Sequence, residues 1–283
     1  MFGGFGACLR GVARQTLVMR GNSESGGEGR VALVTGGNQG IGLAIAEVLA
    51  KAGATVIVAG RNAERNDAAA ERIVAGGGKA VGLVLDVCAP DSIAAGLASA
   101  ESLARGPVEW LVNNAGAAVS APLARTDDDM FLRQMEVNFH GARRLASGFL
   151  PVMLERGYGR IVNVASSAGL RGYAYVAAYC ASKHALVGYT RAAAEECGPK
   201  GVGFSAVCPH YVDTPMLEAS VEAVMKKTGR TREQARAFFA GENPGGRLVS
   251  PQEVAALTLE LCLGEGTGIW ELDGADLPKK CTT

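Results

Sequence analysis

The chain has 283 residues, of which 48% are hydrophobic and 20% charged; that is enough apolar material for a large buried core, so disorder of the whole chain is excluded. Its 28 basic and 28 acidic residues cancel, leaving no global field to draw it to nucleic acid or an anionic membrane, and neither is expected as a partner. The 39 glycines are about twice the usual share of ~7%, but they lack a three-residue period, which excludes collagen.

Residues 1–29 stand apart. Arg10, Arg14 and Arg20 occur before the first acid, Glu24, among many glycines. One reading is an Arg-rich mitochondrial presequence, with Leu9, Val12, Ala13 and Leu17 along one side of a short helix. The other is a disordered extension, or a start upstream of an initiator at Met19. From Arg30 onward, short β-branched runs alternate with helical patterns. Strands are predicted at Val31–Thr35, Thr55–Ala59, Ala80–Asp86, Glu109–Asn113, Ile161–Ala165, Gly203–Cys208 and Ile269–Leu272. Helices follow Gly40, Asn62 and Asp91, and longer ones cover Asp127–Arg156 and Ala177–Cys197. With no hairpin signals between them, these elements predict one α/β domain over residues 30–275: a Rossmann-like, doubly wound parallel sheet of about seven strands, helices on both faces, and a tail at 276–283. The seven scattered cysteines show no C-x-x-C pair or metal-ligand spacing, so no metal is expected and the thiols fit a reduced, cytoplasmic setting. No apolar stretch approaches the ~20 residues of a membrane span.

Gly36-Gly37-Asn38-Gln39-Gly40-Ile41-Gly42 lies between the first strand and first helix. Glycines there permit a tight turn and let the main chain and helix N-terminus approach a pyrophosphate. The spacing G-x-x-x-G-x-G differs from the commoner G-x-G-x-x-G dinucleotide fingerprint, and the alternative is an ordinary strand-to-helix turn. At the end of the second strand, Gly60-Arg61-Asn62 carries no carboxylate. An acid there would select NAD(H), whereas Arg61 suits a 2′-phosphate, so NADP(H) is preferred and NAD(H) remains possible; a solvated surface arginine is the other reading. Asp86-Val87 and Asn113-Asn114-Ala115-Gly116 end the third and fourth strands, at the edge where open α/β sheets bind ligands. Asp86 either bonds the adenine amino group or caps a turn.

Tyr179 and Lys183 share a helix face at i,i+4 spacing. A phenol with a pKa near ~10 needs a nearby cation to serve as an acid-base group near neutrality, and the lysine is placed to supply one. Ser166 follows the fifth strand at the same sheet edge and suits hydrogen bonding to a carbonyl or alcohol oxygen.

These motifs, with Val137-Asn138-Phe139, Asn163-Val164-Ala165-Ser166 and Pro209-x-x-Val212-x-Thr214, resemble the short-chain dehydrogenase/reductase family over essentially all of residues 30–275. The resemblance implies a catalytic tetrad of Asn138, Ser166, Tyr179 and Lys183. Tyr179 would exchange a proton with the substrate oxygen and Ser166 would hold that oxygen. Lys183 would lower the tyrosine pKa and bind the nicotinamide ribose, and Asn138 would hold a water linking the lysine to solvent. It selects Ser166 over Ser167, because Gly169 follows at the family's spacing. Gly36, Asn38, Gln39, Ile41, Gly42, Arg61, Asp86, Val87, Asn114, Tyr179, Lys183, Val212 and Thr214 would contact the cofactor. Asn114 would touch its adenosine side, and Val212 and Thr214 its carboxamide.

His210 stands where the family usually has glycine. It is either a substrate-binding residue able to contact a carboxylate or thioester oxygen, with Ser166 and Tyr179, or loop variation with the imidazole turned away. Residues 216–247 read as a substrate lid, similar to members acting on 3-oxoacyl or 3-hydroxyacyl groups, including polyketide ketoreductases and 3-hydroxybutyrate dehydrogenases. The first expectation is NADPH-driven reduction of a 3-oxoacyl thioester carried on acyl carrier protein or coenzyme A. The alternatives are NAD-linked oxidation of a small hydroxy acid or secondary alcohol, a reductase of aromatic or steroid ketones, and a non-catalytic nucleotide sensor. On the same resemblance a homo-oligomer, a tetramer, is expected.

Overall fold

The computed structural model of the protein describes residues 26–264 and 267–281. Seven strands run parallel: β1 (Val31–Thr35), β2 (Thr55–Gly60), β3 (Lys79–Val84), β4 (Trp110–Asn113), β5 (Gly159–Val164), β6 (Val202–Pro209) and β7 (Gly268–Leu272). The helices are α1 (Gly40–Lys51), α2 (Ala63–Ala75), α3 (Pro90–Ala104), α4 (Asp128–Met135), α5 (Gly141–Glu155), α6 (Ala177–Cys197), α7 (Pro215–Thr228), α8 (Arg232–Glu242) and α9 (Pro251–Leu263). The spatial order β3-β2-β1-β4-β5-β6-β7 reverses direction between β1 and β4, which opens a crevice at their carboxyl ends.

Both faces of the sheet are covered, and the strands read accordingly as unbroken apolar runs. Ala32 and Val34 of β1 pack with Ile45 and Leu49 of α1 and Leu257 and Leu261 of α9. Val31 and Leu33 face the opposite layer, with Ile93 of α3, Leu145, Phe149 and Met153 of α5 and Ala193 of α6.

Three expectations change. The single helix predicted over 127–156 is two helices joined by a π turn at Glu136–His140, which adds one residue to the winding without breaking the chain's helical course. The tail predicted at 276–283 carries an eighth strand, β8 (Lys279–Cys281), which pairs antiparallel with β7. Most of the segment expected as an extension or presequence lies outside the described residues, but its end is packed: Gly27 is buried and its N–H donates to the Ala52 carbonyl at 2.9 Å.

The segment 216–247 forms most of α7 and α8. Leu217, Val221, Ala235 and Phe239 give this pair a small core of its own, with Tyr211 packed against it. Arg236 bridges Glu218 and Asp213, tying α8 to α7 and to the segment between β6 and α7. Among the described residues no helix is long and apolar enough to cross a membrane.

One buried polar side chain secures the nucleotide end. Asn66 of α2 is fully buried, donates to the carbonyls of Gly60 and Leu83 at 2.8 Å each, and accepts from Asn38 Nδ2 at 2.7 Å. Asn66→Leu would remove its bonds to both strand carbonyls and leave Asn38 Nδ2 without its acceptor, although the Gly60 carbonyl keeps the Leu85 N–H at 3.0 Å, so it is expected to cost about 2–4 kcal/mol. The denaturant midpoint should fall at unchanged slope; an unmoved midpoint would contradict this account.

Candidate active site

The glycine loop is built by close approach. Gly36 and Gly40 take left-handed φ values of +62° and +54°, and a Cβ on Gly42 would lie 2.1 Å from the Gly36 carbonyl oxygen. No residue but glycine fits at Gly42. Helix α1 opens at Gly40 with no side-chain cap on its first turn and no acid there, so its N–H groups remain directed at a ligand. Thr35 Oγ1 accepts from the N–H of Asn114 and of Ala115 at 3.0 Å each. Asn114 Nδ2 donates to the Thr35 carbonyl at 2.9 Å. The Nδ2 of Asn114, a residue expected at the adenosine, thus pins the loop to the end of β4.

Asn38 reaches across to Asn66 and closes over Gly60, where a Cβ would fall 2.7 Å from Asn38 Nδ2. Arg61 is exposed at the end of β2 and pairs with no carboxylate among the described residues. Arg65, in the first turn of α2, is a cation the sequence reading missed; with Asn38, Gln39, Leu43 and Arg72 it lines a surface recess of about 300 Å³. Of the two readings for Asp86, the structure shows the turn cap: its Oδ1 accepts from Cys88 N–H at 2.9 Å. Val87 is buried, with its carbonyl against Gly141 at the start of α5. Val212 bridges to Val249. Thr214 caps α7 by accepting from Leu217 N–H, and its methyl and Cβ face Gly40. The stretch after β6 and the glycine loop thus lie side by side, with Ile41 half-buried against the core.

The catalytic candidates meet at the same edge. A buried amide ladder holds α6 against the sheet: Asn113 Nδ2 donates to Asn163 Oδ1 at 2.9 Å, and Asn163 Nδ2 donates to Thr190 Oγ1 at 2.9 Å. Ser166 Oγ caps the tight turn Ser167–Gly169, accepting from Ala168 N–H at 3.1 Å, and its hydroxyl is near enough to the Tyr179 phenol to oppose the effect of burial on it. Ser167 instead is buried against the Tyr173 hydroxyl at 2.8 Å, so of the two serines only Ser166 reaches Tyr179. Gly169 lets this turn lie on α6, because a Cβ there would meet the Lys183 carbonyl at 2.7 Å. Lys183 Nζ donates to the Val164 carbonyl at 2.9 Å and lies 5.8 Å from the Tyr179 ring centre.

Asn138 sits in the π turn, 2% exposed. It accepts from Ala117 N–H at 3.0 Å and donates to the Ala117 carbonyl at 2.9 Å, with Gln134 and Ser182 also at its Nδ2. Its side-chain amide is engaged in this clamp. Gly116, one residue before the clamp, brings the backbone against both Asn138 Oδ1 and Lys183 Nζ. Gln134 and Ser182 were not anticipated from sequence.

Electrostatics reverse one expectation. Burial pushes the Tyr179 phenol up to about 12, opposed by the Ser166 hydroxyl beside it. Burial also pushes the Lys183 ammonium down to about 8. Desolvation outweighs the i,i+4 attraction that the spacing alone implied. Of the two readings for His210, the structure favours loop variation with the imidazole engaged elsewhere: its side chain is 1% exposed, and both ring nitrogens are engaged, Nε2 with Glu271 Oε1 at 2.7 Å and Nδ1 with Arg171 Nη2 at 3.2 Å.

The buried lysine makes a signed statement about stability. Because its folded pKa is lowered, the cost of burying the charge is fully present below about pH 8 and is relieved as pH rises toward ~10.4, the unfolded value. Lys183→Met is therefore expected to exceed the wild type in thermal midpoint by more at pH 7 than at pH 10. Parallel curves for the two proteins across that range would refute the assignment.

With this geometry in view, comparison with known proteins is informative. The family model for short chain dehydrogenase matches residues 30–224. A 3-oxoacyl-acyl-carrier-protein reductase from Aquifex aeolicus is 35% identical over 244 residues, 83% of this chain and 90% of that protein. A D-β-hydroxybutyrate dehydrogenase from Cupriavidus necator is 37% identical over 252 residues, 87% of this chain and 97% of that protein. The crystal structure of an actinorhodin polyketide ketoreductase variant with NADPH superposes with a TM-score of 0.82 at 36% identity, covering 89% of this chain and 97% of its own. The protein belongs to the short-chain dehydrogenases, oxidoreductases that act on CH–OH and keto groups with a nicotinamide cofactor.

Proposed function

We propose that the protein is an NADP(H)-dependent reductase of 3-oxoacyl groups, presented as thioesters on acyl carrier protein or coenzyme A and converted to the 3-hydroxyacyl products. The observation that carries this reading is the meeting of Ser166, Tyr179 and Lys183 at the sheet edge beside a glycine loop that no side chain could enter. That cradle, the uncapped start of α1 and the unpaired Arg61 suit a phosphorylated dinucleotide. Gly36, Asn38, Gln39, Ile41 and Gly42 would hold its pyrophosphate side, Arg61 its 2′-phosphate, and Lys183, Val212 and Thr214 its nicotinamide end. When bound, the cofactor supplies the hydride.

The residues of this chain handle the oxygen and its proton. Ser166 donates a hydrogen bond to the substrate carbonyl oxygen, and Tyr179 delivers its phenolic proton to that oxygen as negative charge develops on it. A phenol held near 12 is fully protonated at neutral pH, the state a proton donor needs for reduction. Lys183 stabilises the phenolate once the proton has left, through its charge one helical turn away. Asn138 holds Ala117 and so keeps Gly116 flat against the lysine. The similarity to a D-β-hydroxybutyrate dehydrogenase supports a second reading, oxidation of a small hydroxy acid with NAD. The proposal extends to a homotetramer, supported by apolar Leu132 and Val152 exposed on α4 and α5.

The test is NADPH consumption at the nicotinamide absorbance band with 3-oxoacyl thioesters. Turnover is expected, and Tyr179→Phe should reduce it by about 10²–10⁴-fold. Undiminished turnover in that variant would sink the mechanism. Arg61→Asp should raise KM for NADPH by about tenfold or more while sparing NADH; equal effects on the two cofactors would refute the 2′-phosphate contact.

A further inference from the structure

His210 occupies a buried position, yet it is wired toward an exposed cation. Arg171 carries only donors, so His210 Nδ1 must accept from it and Nε2 must carry the proton toward Glu271. The carboxylate on the far side of the ring makes Nδ1 a better acceptor. Arg171 Nε donates to the Tyr173 hydroxyl at 2.8 Å, and that hydroxyl contacts Ser167, the neighbour of Ser166. The guanidinium is held at two points in consequence, on a phenol and an imidazole. Both partners are neutral, and among the described residues no carboxylate pairs with Arg171, which leaves three of its N–H groups and its full charge at the surface.

This cation belongs to the active-site cluster. Through Tyr173 it is two hydrogen bonds from Ser167, in the turn that Ser166 caps and that rests on the Lys183 backbone. A guanidinium fork on an exposed residue, held on two partners and linked through Tyr173 to the turn that Ser166 caps, is suited to bidentate recognition of an oxyanion.

We propose that Arg171 is the specificity-determining residue of this site, binding an oxyanion carried by the substrate, and that His210 and Glu271 are positioning residues that hold its guanidinium in place. This inference rests on the carbonyl-reductase reading above. The oxyanion is either the carboxylate of a free 3-oxo acid or the phosphate of a pantetheine arm.

The first experiment is independent of turnover. The full-length protein with NADPH is titrated calorimetrically with malonate and with inorganic phosphate, and compared with Arg171→Met. The wild type is expected to bind at least one of these anions, and the variant to bind it at least about tenfold more weakly, as for loss of a charge-assisted hydrogen bond. Binding of neither anion by the wild type, or equal binding by both proteins, would overturn the proposal. The second experiment compares kcat/KM ratios for 3-oxobutyrate against its ethyl ester, and for a 3-oxoacyl-coenzyme A against the phosphate-free N-acetylcysteamine thioester. A fall of about tenfold in the first ratio in Arg171→Met identifies the carboxylate, and a fall in the second identifies the phosphate; two unchanged ratios would overturn the role. If the wild type turns over none of these compounds, the carbonyl-reductase reading fails while the titration still judges Arg171. For positioning, His210→Gln keeps an acceptor for Arg171 and a donor for Glu271, whereas His210→Leu keeps neither. KM for the anionic substrate should rise in the leucine variant with kcat much less affected, and return toward wild type in the glutamine variant; identical KM values in the two would overturn the positioning role.

Discussion

The active site depends on α6 being held at one height against the sheet. Asn113, Asn163 and Thr190 form a buried ladder from β4 through β5 into that helix, and a shift of even one residue, about 1.5 Å, would break it. Each buried polar group left unmet would cost roughly 1–3 kcal/mol, more than a made hydrogen bond contributes. The ladder therefore acts chiefly by excluding wrong registers. Gly169 completes the constraint from the other side, since its turn rests directly on the Lys183 backbone. Ser166, at the start of that turn, and Tyr179 and Lys183, on the helix, reach a common position because both contacts hold together.

Much of this was legible in the chain. The apolar runs Val31–Thr35 and Thr55–Ala59 announce strands buried on both faces, and G-x-x-x-G-x-G after the first of them announces a helix opening toward phosphate. Tyr179 and Lys183 share a face by spacing alone. What remained hidden depends on contacts distant in sequence or on solvation. The partners of His210 lie 39 and 61 residues away, so no local pattern distinguishes an imidazole in the pocket from one wired between Glu271 and Arg171. The pKa values of Tyr179 and Lys183 are governed by burial, which spacing does not report. Asn66 sits among alanines on an ordinary amphipathic helix, and only the strand ends above it explain a polar residue there. Strand β8 is three residues with two lysines, too short and too charged to show alternation.

The architecture also separates the sheet-bound residues from a peripheral helix pair. The glycine loop, the amide ladder and the Ser166–Tyr179–Lys183 group belong to the sheet and to helices buried on it. Helices α7 and α8 pack on a core of their own, anchored through Arg236 and Asn243, whose side chain brackets the Tyr211 backbone. Side chains on the α7–α8 pair can change without disturbing the registers that hold α6 and Tyr179 in place. That division suits a fold whose similar members bear names as different as 3-oxoacyl reductase and hydroxybutyrate dehydrogenase.

The π turn at Glu136–His140 ties site and core to a single count of residues. Each residue of a helix turns it by about 100°, so the extra one sets the phase between α4 and α5. Upstream of it, Gln134 is turned toward Asn138; downstream, Leu145, Phe149 and Met153 are turned toward the sheet. Deleting one residue from this turn would wind the segment into a plain α-helix, and one of those two faces would rotate away from its partner. The length of this segment is consequently as constrained as its composition: substitutions on its exposed side leave the phase intact, whereas the shortest possible deletion takes either the Asn138 clamp or the α5 packing with it.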